Sequence, residues 1–411
     1  MERRPILPEK SVVPAVPPAL NILFLLTHGI DPQKGGIERI SLNLGREFEA
    51  RGHKVWFLAL YNDYKDSTSC PAAQFFFPNS DRKAPENREF TKKLLLEKHI
   101  DLVIFQIADI ALPFPTLYEE LNVPVVVCLG FNPNFVETRK RAEAEKKYGR
   151  FAASPLYAPI LFLDTVFPMR NVVRHYRRNA EVAEKFVVLS NGFIPWIAKR
   201  LPKSLRGKLT VIPNFTLFPR QDCAAEKEKT VLFVGRLENG QKRVDLLLKI
   251  WAKLETAFPQ WKLEIVGDGP DRGELLAQAK KLGLKRVAFE GFQAPEKYYR
   301  HSAIFCMTSA YEGFGNVLVE AAAFGCIPVA FDSFAAVRDI IADGENGALV
   351  PAFDVDAYAG TLAKLMRDDA LRERFSANTA QICEKFSPPK VVARWEALFS
   401  EILRSRGKKS A

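Results

Sequence analysis

The feature that most constrains this chain is a repeated alternation of short apolar runs with amphipathic stretches. In the first half the runs are NILFLLT (residues 21–27), KVWFLAL (54–60), DLVIFQI (101–107), VPVVVCL (123–129) and KFVVLS (185–190). They are brief, rich in β-branched and aromatic residues, and apolar at nearly every position. A strand with one wet face would alternate; continuous apolar character needs cover on both faces, as in a parallel sheet flanked by helices. The second half repeats the pattern with TVLFVGR (230–236), KLEIVGD (262–268), VAFEG (287–291), AIFCMT (303–308), IPVAF (327–331) and GALVP (347–351). Helical periodicity lies between them, for example over Val244–Ala257 and Arg272–Leu282. The expected class is α/β, with doubly wound parallel sheets.

A length of 411 residues exceeds one ordinary core, so two such domains are expected. The seam is placed in NFTLFPRQDCAAEKEK (214–229), which lacks periodicity and ends in charges. The expected division is a first domain over 1–213, a linker over 214–229, a second domain over 230–388, and a C-terminal helix with a basic tail over 389–411. The last eight residues, RSRGKKSA, read as a fraying terminus. Two parallel sheets facing each other leave a cleft at the carboxyl ends of their strands, where ligands of such sheets bind.

Cys70, Cys128, Cys223, Cys306, Cys326 and Cys383 show no paired spacing for zinc or redox chemistry, which fits a reducing cytosol. The N-terminal stretch resembles a signal peptide only in outline, since Pro14, Pro17 and Pro18 would break its apolar helix. Nor is any apolar stretch long enough to cross a bilayer; PLYAPILFLDTVF (155–167) contains Asp164 and two prolines. The net charge of +11 is uneven: residues 1–220 carry 32 Lys+Arg against 22 Asp+Glu. An anionic membrane, nucleic acid or a phosphorylated ligand would each suit a basic half.

Three glycine-bearing loops follow strands. In THGIDPQKGGIERIS, Gly35 and Gly36 precede a helix whose free N–H groups suit a phosphate, although an ordinary strand-to-helix turn would look the same. In VGRLENGQKRVDLLL, Arg236 ends a strand and Lys242 precedes a helix. Two such cations suit a diphosphate, although alone they read more simply as solvated surface charge. The third loop, YEGFGNVLVEAAAFG (311–325), sets Glu312 before Gly313, Phe314, Gly315 and Asn316, and Glu320 one turn into an otherwise apolar helix. A carboxylate there can accept both hydroxyls of a ribose. The loop VGDGPDRGELL, around Gly267–Pro270, reads as a plain turn.

With these motifs together, the chain resembles the retaining glycosyltransferases of family 4, which have the GT-B fold and use nucleotide sugars. The resemblance is carried by GGIERISLNLGREFEARGHKV, VIPNF, VGRLENGQKRVDLLL and SAYEGFGNVLVEAAAFGCIPV, which span residues 20–370. It implies two Rossmann-like domains across a cleft. It also implies that Arg236 and Lys242 bind the donor diphosphate, Glu320 the ribose and Glu312 the transferred sugar. Gly35 and Gly36 would line the same cleft from the first domain, and the loop Gly313–Asn316 would complete the donor site. The commonest donor of such enzymes is a UDP-sugar, and the implied acceptor is a glycan, expected to be lipid-linked. Many relatives carry a histidine where this chain has Gly130 and Phe131, whereas His28, His53, His99, His175 and His301 all lie elsewhere.

No cofactor and no metal are expected. The sequence DVD at Asp354–Asp356 matches a metal motif of another transferase fold, but it opens a helix, where Asp caps the first turn. Peripheral placement on the cytoplasmic membrane face is expected from RKRAEAEKKYGRF (Arg139–Phe151) and MRNVVRHYRR (Met169–Arg178), which mix basic with apolar residues. Rival readings are a sugar-nucleotide epimerase of the same fold and a non-catalytic protein binding an anionic surface or nucleic acid. No nucleic-acid recognition module is visible, and nucleic acid is not an expected partner.

Overall fold

The computed structural model of the chain describes residues 18–31, 36–61, 73–106, 110–140, 158–221 and 227–407. Two parallel sheets organise it. The first has seven strands: β1 Asn21–His28, β2 Lys54–Tyr61, β3 Gln74–Phe76, β4 Leu102–Phe105, β5 Val125–Leu129, β6 Lys185–Val188 and β7 Leu209–Val211, in the order β3-β2-β1-β4-β5-β6-β7. The second has six: β8 Glu228–Val234, β9 Lys262–Val266, β10 Val287–Gly291, β11 Ser302–Met307, β12 Ile327–Asp332 and β13 Ala348–Pro351, in the order β10-β9-β8-β11-β12-β13. Every strand pairing among the described residues is parallel. Both sheets change direction beside their first strand, so each leaves a crevice where the loops after β1 and β4, or β8 and β11, diverge.

The expected strands are all present. The sequence reading lacked β3 and β7, three half-buried residues each at the two edges of the first sheet. Strands that short carry no period to detect. The helix expected over Val244–Ala257 ends at Ala252. Asp354 caps the helix Val355–Arg367 as expected, accepting from the Ala357 N–H at 2.9 Å, while Asp356 pairs with Lys253.

The C-terminal helix Pro388–Gly407 crosses back to the first domain. Its Val391, Trp395, Leu398, Phe399 and Ile402 are buried in one cluster with Phe24, Leu42, Phe48 and Phe57. Arg406 pairs with Glu184 at 2.8 Å and donates to the Asn122 carbonyl. The fraying expected of the tail is therefore corrected as far as Gly407; residues 408–411 lie outside those described. A second apolar cluster runs from β4–β6 across to Phe314, Leu318 and Val319 of the second domain, so the two domains meet in a closed arrangement.

The basic segments fare differently. Residues 141–151 of the first lie outside those described. The second belongs to the helix Ala158–Val182, where Arg170, Arg174, Arg177 and Arg178 are exposed. Met169 and Tyr176 are buried, Tyr176 against Phe186, and Val172 packs on the core, so these side chains face the protein while the arginines face outward. No helix among the described residues is long and apolar enough to cross a membrane.

Candidate active site

A cleft of about 1020 Å³ separates the carboxyl ends of the two sheets. Gly36, Gly130 and Phe131 line it from the first domain, and Arg236, Lys242, Glu312, Gly313, Phe314, Gly315, Asn316 and Glu320 from the second. Every expected site residue is in its wall except Gly35, which lies outside the described residues.

Lys242 ends the short helix Asn239–Lys242, and the left-handed Arg243 (φ 51°) turns the chain into the helix Val244–Ala252. Its ammonium donates to Glu312 Oε1 at 2.6 Å, and Gln241 approaches Oε2 at 3.4 Å. Glu312 is buried at 8 % exposure, so its charge is stabilised chiefly by this pair. Arg236 is placed differently. Its side chain is 70 % exposed at the rim and lies 3.6 Å from Glu238, free to swing toward an anion.

Gly315, at φ 96°, precedes the helix Asn316–Ala323 and supplies no capping side chain; the Leu318 N–H is taken by the Gly315 carbonyl at 2.9 Å, while Gly315, Asn316 and Val317 line the cleft at this uncapped helix start. Gly313 permits a close approach of the two domains. A Cβ there would lie 2.5 Å from the Gly130 carbonyl oxygen and 2.6 Å from Phe131 Cα. At Gly130 and Phe131, where the resemblance implies a histidine, this chain has a backbone surface flush against the Glu312 loop. A Cβ on Gly130 would meet Ile37 at 3.3 Å, so a larger side chain would crowd the first-domain helix.

Glu320 is 1 % exposed. Its Oε1 accepts from Arg39 of the helix Gly36–Glu49, and its Oε2 from the Tyr299 hydroxyl at 3.2 Å. Burial pushes the tyrosine hydroxyl far above its usual range, with Arg39 opposing, so Tyr299 remains a donor. Burial also lowers the Arg39 guanidinium from its ordinary value, with Tyr299 opposing. Asn214 Nδ2 donates to Asn316 Oδ1 at 2.9 Å, tying the end of the first domain to the same helix.

Sequence reasoning missed several wall residues. Asp268, Phe292, Gln293 and Trp395 line the cleft, and Phe292 is 67 % exposed there. The loop at Gly267, read as a plain turn, also lines it. A Cβ on Gly267 would fall 1.9 Å from the Gly235 carbonyl oxygen, so glycine allows the β8 and β9 loops to stack. Arg39, three positions after Gly36, was legible as part of a motif but not as a partner. Trp395 carried no sequence signal.

Residues 215–382 match the family described as Glycosyl transferases group 1. An uncharacterized glycosyltransferase of Haemophilus influenzae is 25% identical over 89% of this chain and 96% of its own length. The Campylobacter jejuni N-acetylgalactosamine-N,N'-diacetylbacillosaminyl-diphospho-undecaprenol 4-alpha-N-acetylgalactosaminyltransferase is 34% identical over 46% of this chain and 57% of its own. Apart from the Haemophilus protein, the chain spans 24% to 63% of the length of the first curated relatives it matches. In fold it is similar to Anabaena HepE, solved in complex with UDP and glucose, with a TM-score of 0.70 at 17% identity over 94% of this chain and 100% of that one.

Proposed function

We propose that this chain, a GT-B glycosyltransferase of the family 4 type, moves a hexose or N-acetylhexosamine from a UDP-sugar to a lipid-linked glycan, with retention at the anomeric carbon. The observation that carries the reading is the convergence, on one closed cleft, of Lys242, Glu312, Glu320 and an uncapped helix N-terminus facing the glycine loops of the other domain. In this reading Glu320 takes the ribose hydroxyls and Phe292 offers its exposed face to the base. Lys242, Arg236 and the first-turn N–H groups of Asn316–Ala323 receive the diphosphate, so its charge is met without a metal ion. Glu312, held by Lys242, accepts hydroxyls of the sugar.

The chemistry follows from where charge develops. The bond from the anomeric carbon to the phosphate oxygen breaks, the electron pair leaves on UDP, and positive charge grows on the sugar. Donors fixed on the departing diphosphate stabilise that state, at ~3–4 kcal/mol for a well-placed donor. The acceptor oxygen then attacks from the face the diphosphate leaves, and its proton passes to an oxygen of the departing diphosphate, which has taken up the electron pair of the broken bond.

The undecaprenol-linked acceptor in the name of the Campylobacter relative supports a lipid-linked substrate, as used in cell-surface polysaccharide or lipopolysaccharide assembly. The exposed Arg170, Arg174, Arg177 and Arg178 would rest on an anionic inner membrane face. The test is a thermal-shift panel of nucleotide sugars in EDTA, followed by transfer assays with the stabilising donor and by sedimentation with anionic vesicles over a salt series. UDP or its sugar is expected to raise Tm by several degrees at a hundredfold excess over Kd, about 2.7 kcal/mol of linkage. No shift with any nucleotide, or a shift only with added metal, refutes the donor site. Indifference to anionic vesicles at low salt refutes the membrane placement.

A further inference from the structure

We propose that Arg39 is a positioning residue that ties closure of the cleft to the charge on Glu320, so that the ribose site is complete only when the domains are shut. The closure part stands on geometry alone; the ribose part rests on the reading just given for Glu320.

Glu320 sits in the second domain on a helix whose neighbouring positions, Leu318, Val319, Ala321, Ala322 and Ala323, are all buried. Among the described residues the one cation paired with it is Arg39, 281 positions away in the first domain. Its other partner, Tyr299, is neutral and belongs to its own domain. A carboxylate enclosed to this degree without a cation is strongly disfavoured, so the closed state depends on delivery of the guanidinium. The pair is asymmetric. Arg39 keeps 31% side-chain exposure and can be solvated without Glu320, whereas Glu320 keeps 1% and has no such outlet until the domains part.

The acceptor capacity of the carboxylate links closure to ligand. An ionised carboxylate offers about four lone-pair sites. Arg39 uses one on Oε1 and Tyr299 one on Oε2, which leaves one on each oxygen for two vicinal hydroxyls. A ribose therefore adds to the clasp instead of displacing it. In an open molecule the same carboxylate would be hydrated and free to turn, and the hydroxyls would meet an unfixed partner.

The test uses the full chain and four variants: Arg39→Ala, Arg39→Lys, Glu320→Gln and the double variant Arg39→Ala/Glu320→Gln. Small-angle scattering reads closure without nucleotide. Arg39→Ala is expected to be more extended than wild type and Arg39→Lys close to wild type. The double variant should be more compact than Arg39→Ala alone, because the amide removes the unpaired charge. Calorimetry with UDP and 2′,3′-dideoxy-UDP reads the ribose. Wild type should prefer UDP, and Arg39→Ala should lose roughly tenfold in UDP affinity and most of that preference. Arg39→Ala as compact as wild type, or a double variant as extended as Arg39→Ala, overturns the clasp. An intact scattering response with no preference for UDP over the dideoxy compound overturns the ribose assignment and leaves the clasp standing. A preference for UDP that survives Arg39→Ala unchanged overturns the link between the two.

Discussion

Gly192 gives the cleanest way to perturb closure without touching the cleft. It lies in the short 3-10 turn Asn191–Phe193 after β6, where its N–H donates to Ser190 Oγ at 3.1 Å and Ser190 in turn contacts Asp339 of the other domain at 2.5 Å. A Cβ built on Gly192 falls 2.6 Å from Ala335 Cβ. Two carbons rest at about 3.5 Å, so Gly192→Ala must drive the domains apart by roughly 0.9 Å at this point. The backbone of Gly192 is not in the left-handed region, so alanine carries no local strain, and neither residue is in the cleft wall. A displacement of this size at the reacting atoms costs ~10²-fold in rate, while contacts made within one domain persist. Gly192→Ala is therefore expected to lower kcat for sugar transfer by about that factor and to leave the Kd for UDP within about twofold. The compensating change Ala335→Gly removes the colliding carbon, and the double variant should recover most of the loss. Steady-state transfer assays and calorimetry on the three variants decide the matter. Full activity in Gly192→Ala, or no recovery in the double variant, would refute the claim that transfer needs this closed packing.

Two further outcomes are expected. Lys242→Ala should weaken UDP binding by about tenfold and leave Glu312 without its ion pair, whereas Glu312→Gln should lower turnover by ~10²-fold while UDP affinity holds or rises, because Lys242 is released toward the diphosphate. Equal loss of UDP affinity in both variants, read by calorimetry, would undo the division of roles. His53 is buried, accepts from the Leu20 N–H at 3.0 Å, and has a second ring nitrogen without a partner among the described residues. Burial lowers its folded pKa below 6.5, with Glu396 opposing and Arg51 adding to the depression, so the unfolded chain binds the proton more readily. Its contribution to stability is thus full above 6.5 and lost as pH falls toward the folded value. His53→Gln should cost Tm at pH 7.5 and distinctly less at pH 5, by calorimetric melting; an equal cost at both would contradict the neutral buried ring.

The sequence by itself determined the architecture. Burial on both faces of a parallel sheet forces an uninterrupted apolar run, so β1, β5, β8 and β11 announce themselves in composition alone. The loops after those strands must lie at one end of their sheet, and for that reason Arg236, Lys242, Glu312 and the Gly313–Asn316 turn were legible as members of a common cleft. Edge strands of three residues carry no such imprint, and β3 and β7 became visible only once their neighbours were in place. What the tertiary structure alone decided is which charges meet. The periodicity of the helix Gly36–Glu49 marks which face is apolar but says nothing of a carboxylate 281 positions away, and so Arg39 stood in the motif without its partner Glu320. The return of Trp395 and Phe399 to the first domain was hidden for the same reason. An amphipathic helix specifies that a face must be buried, and only the packed chain specifies against what.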